Sequence, residues 1–213
     1  MHDSAPLYAY DSSLRRECGC TVLAGIDEAG RGPLAGPVVV AGVVLPPECD
    51  SFSVFDSKAL DDRARRELFE ALTQDSSVRY AIVERSAERI DEVNILRATH
   101  EAMREVARQL SPELALVDGL SVPAFPVPAR FVVKGDATSA SIAAASILAK
   151  VHRDRLMEAF DAQYPGYGFA KHKGYGTKAH LEALRTLGPS PIHRLSFGPV
   201  AAIVSPQLTI PLK

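Results

Sequence analysis

Two apolar runs rich in β-branched residues, Thr21–Ile26 and Val38–Leu45, flank a segment that no single regular element can occupy, Asp27-Glu28-Ala29-Gly30-Arg31-Gly32-Pro33-Leu34-Ala35-Gly36-Pro37. The pattern predicts two strands paired around a glycine- and proline-rich loop, with Pro46-Pro47 stopping the second. Neighbouring side chains on a strand point to opposite faces, so Asp27 and Glu28 serve one centre only where the strand ends and the backbone begins to turn. Glycine permits that turn and lets a ligand or another backbone come close. An acidic pair beside such a shelf suggests a divalent metal and a phosphate-bearing substrate. Taken alone, the same residues also suit a charged turn.

Downstream, Asp56-Ser57-Lys58 falls in a loop before a helix over Asp61–Thr73, where Leu60, Ala64, Leu68 and Leu72 recur at helical spacing and Asp61 or Asp62 can cap. Val78–Val83 reads as a short strand. A helical turn begins at Ser86, and Asn94–Leu110 is a helix carrying Ile95, Thr99, Met103, Val106 and Leu110 down one side. Leu114–Val117 and Phe131–Val133 are further strands, ending at Asp118-Gly119 and Lys134-Gly135-Asp136, with the proline-rich connector Pro123–Pro128 between them. Thr138 or Ser139 caps a helix through about Phe160 whose first half, Ser141–Ala149, is apolar on nearly every face and therefore buried. A basic, glycine-punctuated loop at Lys171–His180 precedes a helix through about Leu187. Strands lead, helices close the chain, and the two alternate between. The expected fold is α/β, a mixed five-stranded sheet flanked by helices. Residues 1–20 are expected as a loose lead-in and 21–200 as one domain. About 139–200 would be its mostly helical C-terminal part, with 201–213 as a tail.

The 213 residues suffice for a sizeable core, and 46% hydrophobic with 23% charged residues is an ordinary globular composition. The net charge of −2 conceals a division. Residues 1–129 hold 13 Lys+Arg against 21 Asp+Glu, whereas 130–213 hold 11 against 5 and four of the six histidines. That division suits an acidic region that holds a cation and a basic face that meets an anion. Cys18, Cys20 and Cys49 have neither the number nor the spacing of a disulfide framework or a zinc site. The first twenty residues lack the apolar centre of a signal peptide, and Val38–Leu45 is too short to span a bilayer. A cytoplasmic protein is expected.

Four carboxylates share one kind of address. Asp27 and Glu28 end the first strand, Asp118 ends the fourth, and Asp136 follows the fifth. Strand ends and the loops after them are where helix-flanked sheets bind ligands. Singly, Asp118-Gly119 is a turn and Asp136 a cap; together the four form a cluster whose self-repulsion a cation would offset. A donor set of oxygens alone selects Mg²⁺ or Mn²⁺ over zinc. Two such ions would stabilise the attacking and leaving oxygens of an in-line phosphoryl displacement.

These motifs resemble the signature of bacterial ribonuclease HII, the type 2 ribonuclease H. The likeness runs from Asp27–Val38 through Asp56-Ser57-Lys58, Asn94–Thr99, Val117-Asp118-Gly119, Lys134-Gly135-Asp136 and Ala144–Asp154. It continues in His172–Thr177 and His193–Phe197. The resemblance implies a ribonuclease H-like fold and an endonuclease that hydrolyses the RNA strand of RNA–DNA hybrids. It implies cleavage 5′ of single ribonucleotides embedded in duplex DNA, leaving 3′-hydroxyl and 5′-phosphate ends, in replication and ribonucleotide excision repair. Asp27, Glu28, Asp118 and Asp136 would be the catalytic metal ligands. Gly30-Arg31-Gly32 would sense the ribose 2′-hydroxyl, Lys58 would contact backbone phosphate, and Tyr175 would stack at the RNA–DNA junction. The protein would act as a monomer with no membrane partner. Arg31 is alternatively a phosphate or carboxylate clamp, and Lys150 suits either a salt bridge to the acidic cluster or phosphate binding. Lys171, His172 and Lys173 read as a basic rim.

Three other readings fit less well. The sister family, ribonuclease HIII, carries an additional N-terminal domain and tends to have Glu where Asp136 stands. A hybrid-binding module without catalysis would not need all four carboxylates. A dinucleotide loop would require G-x-G-x-x-G, and the acids before this loop would repel a pyrophosphate.

Overall fold

The computed structural model describes residues 4–49, 52, 54 and 61–204. In chain order these form α1 (Ala5–Cys18), β1 (Leu23–Ala29), β2 (Val38–Val44), α2 (Asp62–Gln74), β3 (Arg79–Arg85), α3 (Ala87–Val93) and α4 (Ile95–Leu110). They continue with β4 (Leu114–Asp118), β5 (Ala129–Val132), α5 (Ala140–Gln163), α6 (Phe169–His172), α7 (Lys178–Leu187) and α8 (Gly198–Val204). Asp56-Ser57-Lys58 and Leu60 lie outside the described residues. The chain gathers into two compact units, one of Met1–Ala29, Val39–Glu84 and Thr99–Val151, the other of Gly30–Val38, Arg85–Ala98 and His152–Lys213. The expected helical C-terminal part is thus divided, because the first half of α5 belongs with the sheet.

The first unit is built on a mixed five-stranded sheet in the order β3-β2-β1-β4-β5. The β1–β2 pair is antiparallel, while β1–β4 and β4–β5 are parallel. Side-chain alternation along the strands separates two apolar faces. Ala24, Ile26, Val40, Ala115 and Val117 pack with Ala102, Met103, Val106 and Leu110 of α4. Leu23, Leu114 and Leu116 pack on the other side with Leu14 of α1 and Ile142 of α5. At Gly25 a Cβ would overlap the backbone of Ser141 and Ile142, so the start of α5 lies directly on β1. This close approach explains the run of alanines there: Ala143, Ala144, Ala145 and Ala149 are fully buried. Ser139, one of the two expected caps, accepts from the Ile142 amide at 3.2 Å.

Residues 5–18 were expected as part of a loose lead-in and instead form α1. Pro6 occupies the first turn, where its missing N–H leaves no helical bond unmade. Gly19 closes the helix in the left-handed region at φ 63. The buried positions are Tyr8, Asp11, Leu14 and Arg15, two of them charged, so the helix carries no readable apolar stripe. Its two buried charged residues bond to distant chain through one end of each side chain, while Asp11 Oδ1 and Arg15 Nε have no hydrogen-bond partner among the described residues. Arg15 donates to the Leu45 carbonyl at 2.9 Å, and Asp11 accepts from the Ser141 amide and hydroxyl, both at 2.8 Å.

In the second unit, Phe169 is fully buried among Ala35, Met157 and Tyr167. Leu34, Leu184 and Val200 form a second cluster, and Val38, Ile90 and Ala98 a third. The seven-residue α8 crosses the expected boundary at 200 between the domain and the tail. Among the described residues no helix is long and apolar enough to cross a membrane.

Candidate active site

The parallel pairing of β1 and β4 sets the site. The register matches Ile26 with Val117, so one step further both chains arrive at a carboxylate, Asp27 and Asp118. Asp27 is 6% exposed, and its Oδ1 accepts from the Glu28 amide at 2.7 Å. Its carboxyl is held well above the usual range, first by burial and then by the charges of Glu28 and Asp118. A hydrogen bond from Ser146 on α5 works in the opposite direction. Glu28 and Asp118 are half-buried.

Asp136 lies on a single 3₁₀ turn, Gly135–Ala137, immediately after β5. Lys134 makes the turn possible by adopting the left-handed conformation at φ 57. Asp118 Oδ1 accepts from the Gly135 amide at 2.6 Å, which ties the end of β4 to the turn that carries Asp136. A Cβ on Gly135 would overlap Ile142 and crowd Asp118 Oδ1, so the position is held open for glycine. The structure therefore brings Asp27, Glu28 and Asp118 into mutual influence and fixes Asp136, 6% exposed, on the adjoining turn. Among the described residues no three acidic, His or Cys side chains are already closed into a metal cage. The chemistry of the set still fits a hard divalent ion: the donors are oxygens, and Asp27 resists ionisation because it is buried and stands beside the carboxylates of Glu28 and Asp118.

The Gly30-Arg31-Gly32 loop belongs to the second unit and is shaped there by two buried arginines. Arg194, 0% exposed, donates through Nη2 to the Gly30 carbonyl at 2.6 Å and through Nη1 to that of Arg31 at 2.9 Å. Its Nε and Nη2 both reach the Gly36 carbonyl, at 3.0 and 2.9 Å. Arg153 donates to the carbonyls of Pro37, Lys173 and Ala35 at 3.0, 3.0 and 3.1 Å. Burial pulls Arg153 down to about 10 and Arg194 to about 9, yet both stay cationic at neutral pH. Gly30 has φ 93, and a Cβ there would overlap the Arg153 side chain, so both conformation and space demand glycine. In a trans peptide the C=O and the following N–H point opposite ways. With the Gly30 and Arg31 carbonyls turned to Arg194, the Arg31 and Gly32 amides face away from it.

Tyr175 is 50% exposed, and a Cβ on Gly32 would stand 3.7 Å from its ring. Arg31 is exposed, and Lys150 is half-buried on α5. The expected basic rim needs correction. Lys173 pairs with Glu158 at 2.7 Å, and the His172 ring is engaged with the Tyr167 carbonyl at 2.8 Å and the Gly174 amide at 3.2 Å. Of the three, Lys171 alone is exposed. Lys58 lies outside the described residues. Reasoning from sequence missed Ser146, Gly135, Arg153 and Arg194. The last pair lay within segments that carry the family resemblance, Ala144–Asp154 and His193–Phe197, without a role assigned to either arginine.

Comparison with known proteins shows the family. The family model for ribonuclease HII matches residues 24–200. A ribonuclease HII of Chlamydia pneumoniae is 54% identical over 182 residues, 84% of this chain and 85% of its own. Among solved structures, the PCNA:RNase HII complex from Archaeoglobus fulgidus matches with a TM-score of 0.71 and 30% identity. That match covers 83% of this chain and 95% of that one. Ribonuclease H2 from Pyrococcus horikoshii matches with 0.73 and 26%, over 85% and 96%. A sheet that delivers carboxylates from the ends of β1 and β4, and a family match that spans both units, lead to one conclusion: the chain belongs to the ribonuclease HII family and is a ribonuclease H, a hydrolase of RNA in RNA–DNA.

Proposed function

We propose that this ribonuclease H is a metal-dependent endonuclease that cuts 5′ of single ribonucleotides embedded in duplex DNA as well as within RNA–DNA hybrids, leaving 3′-hydroxyl and 5′-phosphate ends. The observation that carries the metal dependence is the gathering of oxygen donors at the sheet end: Asp27 is buried beside Glu28 and Asp118, and a divalent cation there would favour its ionised form. Asp27, Glu28, Asp118 and Asp136 would hold Mg²⁺ or Mn²⁺. Bound there, two ions would supply Lewis-acid stabilisation of the attacking and departing oxygens. The chain's own part is placement. The Gly135 amide orients Asp118, the Glu28 amide and Ser146 orient Asp27, and Lys134 sets the turn of Asp136.

Recognition falls to backbone. The Arg31 and Gly32 amides, turned away from Arg194, are donors without intervening side-chain bulk, suited to a 2′-hydroxyl and its phosphate. Tyr175 offers a half-exposed ring next to Gly32 for the neighbouring sugar. In the cell this activity would remove misplaced ribonucleotides from DNA, in the cytoplasm.

The test uses duplex DNA with one ribonucleotide, incubated with EDTA, Mg²⁺ or Mn²⁺. Cleavage 5′ of the ribonucleotide is expected with metal and none with EDTA. Asp118→Asn, which keeps shape and removes one anionic ligand, is expected to lower kcat by about 100-fold or more with unchanged thermal stability. Near-normal turnover by folded Asp118→Asn protein would refute the assignment of this residue.

A further inference from the structure

Four hydrogen bonds in the second unit run in a line that ends on Tyr175, and backbone partners fix the direction of each. The Ser190 amide can only donate, and it meets His193 Nδ1 at 2.9 Å, with the Ser190 hydroxyl at 2.8 Å. His193 Nδ1 is therefore unprotonated and its proton is on Nε2. That Nε2 lies 3.0 Å from His180 Nε2, which must accept. His180 then carries its proton on Nδ1, and Nδ1 stands 2.9 Å from the Tyr175 carbonyl, which can only accept. All the assignments agree, so the row Ser190–His193–His180–Tyr175 has one consistent set of tautomers.

We infer that His193 and His180 are positioning residues for ribonucleotide recognition, a relay of neutral imidazoles that holds the Tyr175 backbone so that its ring stays beside Gly32. This rests on the proposed junction role of Tyr175. Three observations support the relay. Both rings are fully or almost fully buried, at 0% for His180 and 2% for His193, whereas the Tyr175 side chain they serve is half exposed. A buried pair of imidazoles is retained against desolvation only where its hydrogen bonds are made. Second, aromatic rings pack the pair and prevent rotation: His172 stacks on His180 at 4.4 Å, and Phe169 lies edge-on to His180 at 5.5 Å. Tyr167 lies 5.1 Å from His193. Third, the other hydrogen bonds of the Tyr175 backbone among the described residues are local, within three positions of it. Its amide donates to the His172 carbonyl at 2.9 Å, and its carbonyl also accepts from Thr177 at 2.8 Å. Glycines flank it, and Gly174 is at φ 83.

The charges around the relay are consistent with neutral rings. Burial pushes His193 down to about 4, with the nearby rings of His180 and His172 adding to the effect, and burial lowers His180 as well. Glu88, Asp91 and Glu92 line a pocket of about 730 Å³ that His193 also borders. Asp91 there is occupied by the amides of Leu195 and Ser196, at 2.7 and 2.9 Å.

The experiment compares kcat/KM on a single-ribonucleotide duplex and on a uniform RNA–DNA hybrid, together with nitrogen-15 spectra of the histidine rings. His193→Phe keeps the aromatic packing and removes the donor. It is expected to lower single-ribonucleotide cleavage about tenfold and hybrid cleavage by no more than about threefold. His193→Gln, whose amide can donate to His180 Nε2, is expected to recover most of that loss. In the unsubstituted protein the spectra should show His180 protonated on Nδ1 and His193 on Nε2. Should His193→Phe fail to fold, His180→Gln serves instead, since it lacks a donor at the Nδ1 position.

A folded His193→Phe or His180→Gln protein with an unchanged ratio of the two activities overturns the inference, as does a His180 ring protonated on Nε2. If the unsubstituted protein cuts neither substrate, the proposed activity fails and this role with it. The tautomer spectra distinguish that outcome from failure of the relay itself.

Discussion

At the scale of single residues, the least conspicuous charges do the most. Among the described residues Arg194 hydrogen-bonds to no carboxylate; carbonyls of Gly30, Arg31 and Gly36 solvate its guanidinium, which stays cationic. Buried charges survive only where such bonds are complete, and removal of the donor leaves several carbonyls unsatisfied. The planar fork of arginine is what spans three carbonyls, and a lysine ammonium cannot reproduce it. Arg194→Lys is therefore expected to destabilise the protein by about 2–3 kcal/mol and to lower kcat/KM on ribonucleotide-containing duplex. Urea unfolding read beside the activity checks this, and a loss under about 0.5 kcal/mol would mean the carbonyls find other partners.

At the scale of elements, the contact that matters most is the one between β1 and the start of α5. It places Ser146 over Asp27 and Ile142 against Gly135, so both carboxylate-bearing strand ends depend on it. Gly25 is the point of closest approach, where a Cβ would meet the Ser141 backbone rather than a side chain that could swing aside. Gly25→Ala is expected to cost about 3 kcal/mol, at the upper end for an overpacked core. Activity should fall further than stability explains, because α5 must shift relative to the acids. Thermal unfolding and kcat on the same preparation test both parts; a variant as stable and active as the parent would show that α5 can move without penalty.

At the scale of the whole molecule, the buried histidines make stability depend on acid. His193 has its folded value near 4 and an ordinary imidazole value, about 6.5, when unfolded. Above pH 6.5 both states are neutral and the full stability is present. As pH falls from 6.5 towards 4 the unfolded chain takes up a proton that the folded one refuses, and stability declines by up to about 1.4 kcal/mol per pH unit. His180, also lowered, adds in the same sense, while Asp27, raised, works against it. The unfolding free energy from urea titrations should therefore fall between pH 7.5 and 5, by about 2 kcal/mol for His193 alone. His193→Gln should flatten that dependence, and an equally steep slope in the variant would contradict the assignment.

Much of the site was legible in the sequence because its logic is local. A β-branched run leading to Asp27-Glu28 and glycines announces two acids near a strand end, although β1 continues through both to Ala29, paired with β2, and Leu114–Val117 before Asp118 announces another. Hydrophobic period located α2 and α4 to within a few positions, with Asp61 as the cap of α2, and the end of the glycine-punctuated loop located α7. What only the tertiary structure decided is which distant groups complete those local features. The parallel register that matches Ile26 to Val117 is set by side-chain packing on both sheet faces, not by either strand alone. The helix at residues 5–18 was missed because its buried face carries Asp11 and Arg15, whose partners Ser141 and Leu45 lie far along the chain. Lys173 reads in the sequence as part of a basic rim, but it pairs with Glu158, fifteen residues earlier and across a turn of chain that no local pattern reveals. Arg194 and His193, uncommitted in the sequence, acquire their roles because buried polar groups must find partners, and those partners are backbone atoms that any sequence possesses.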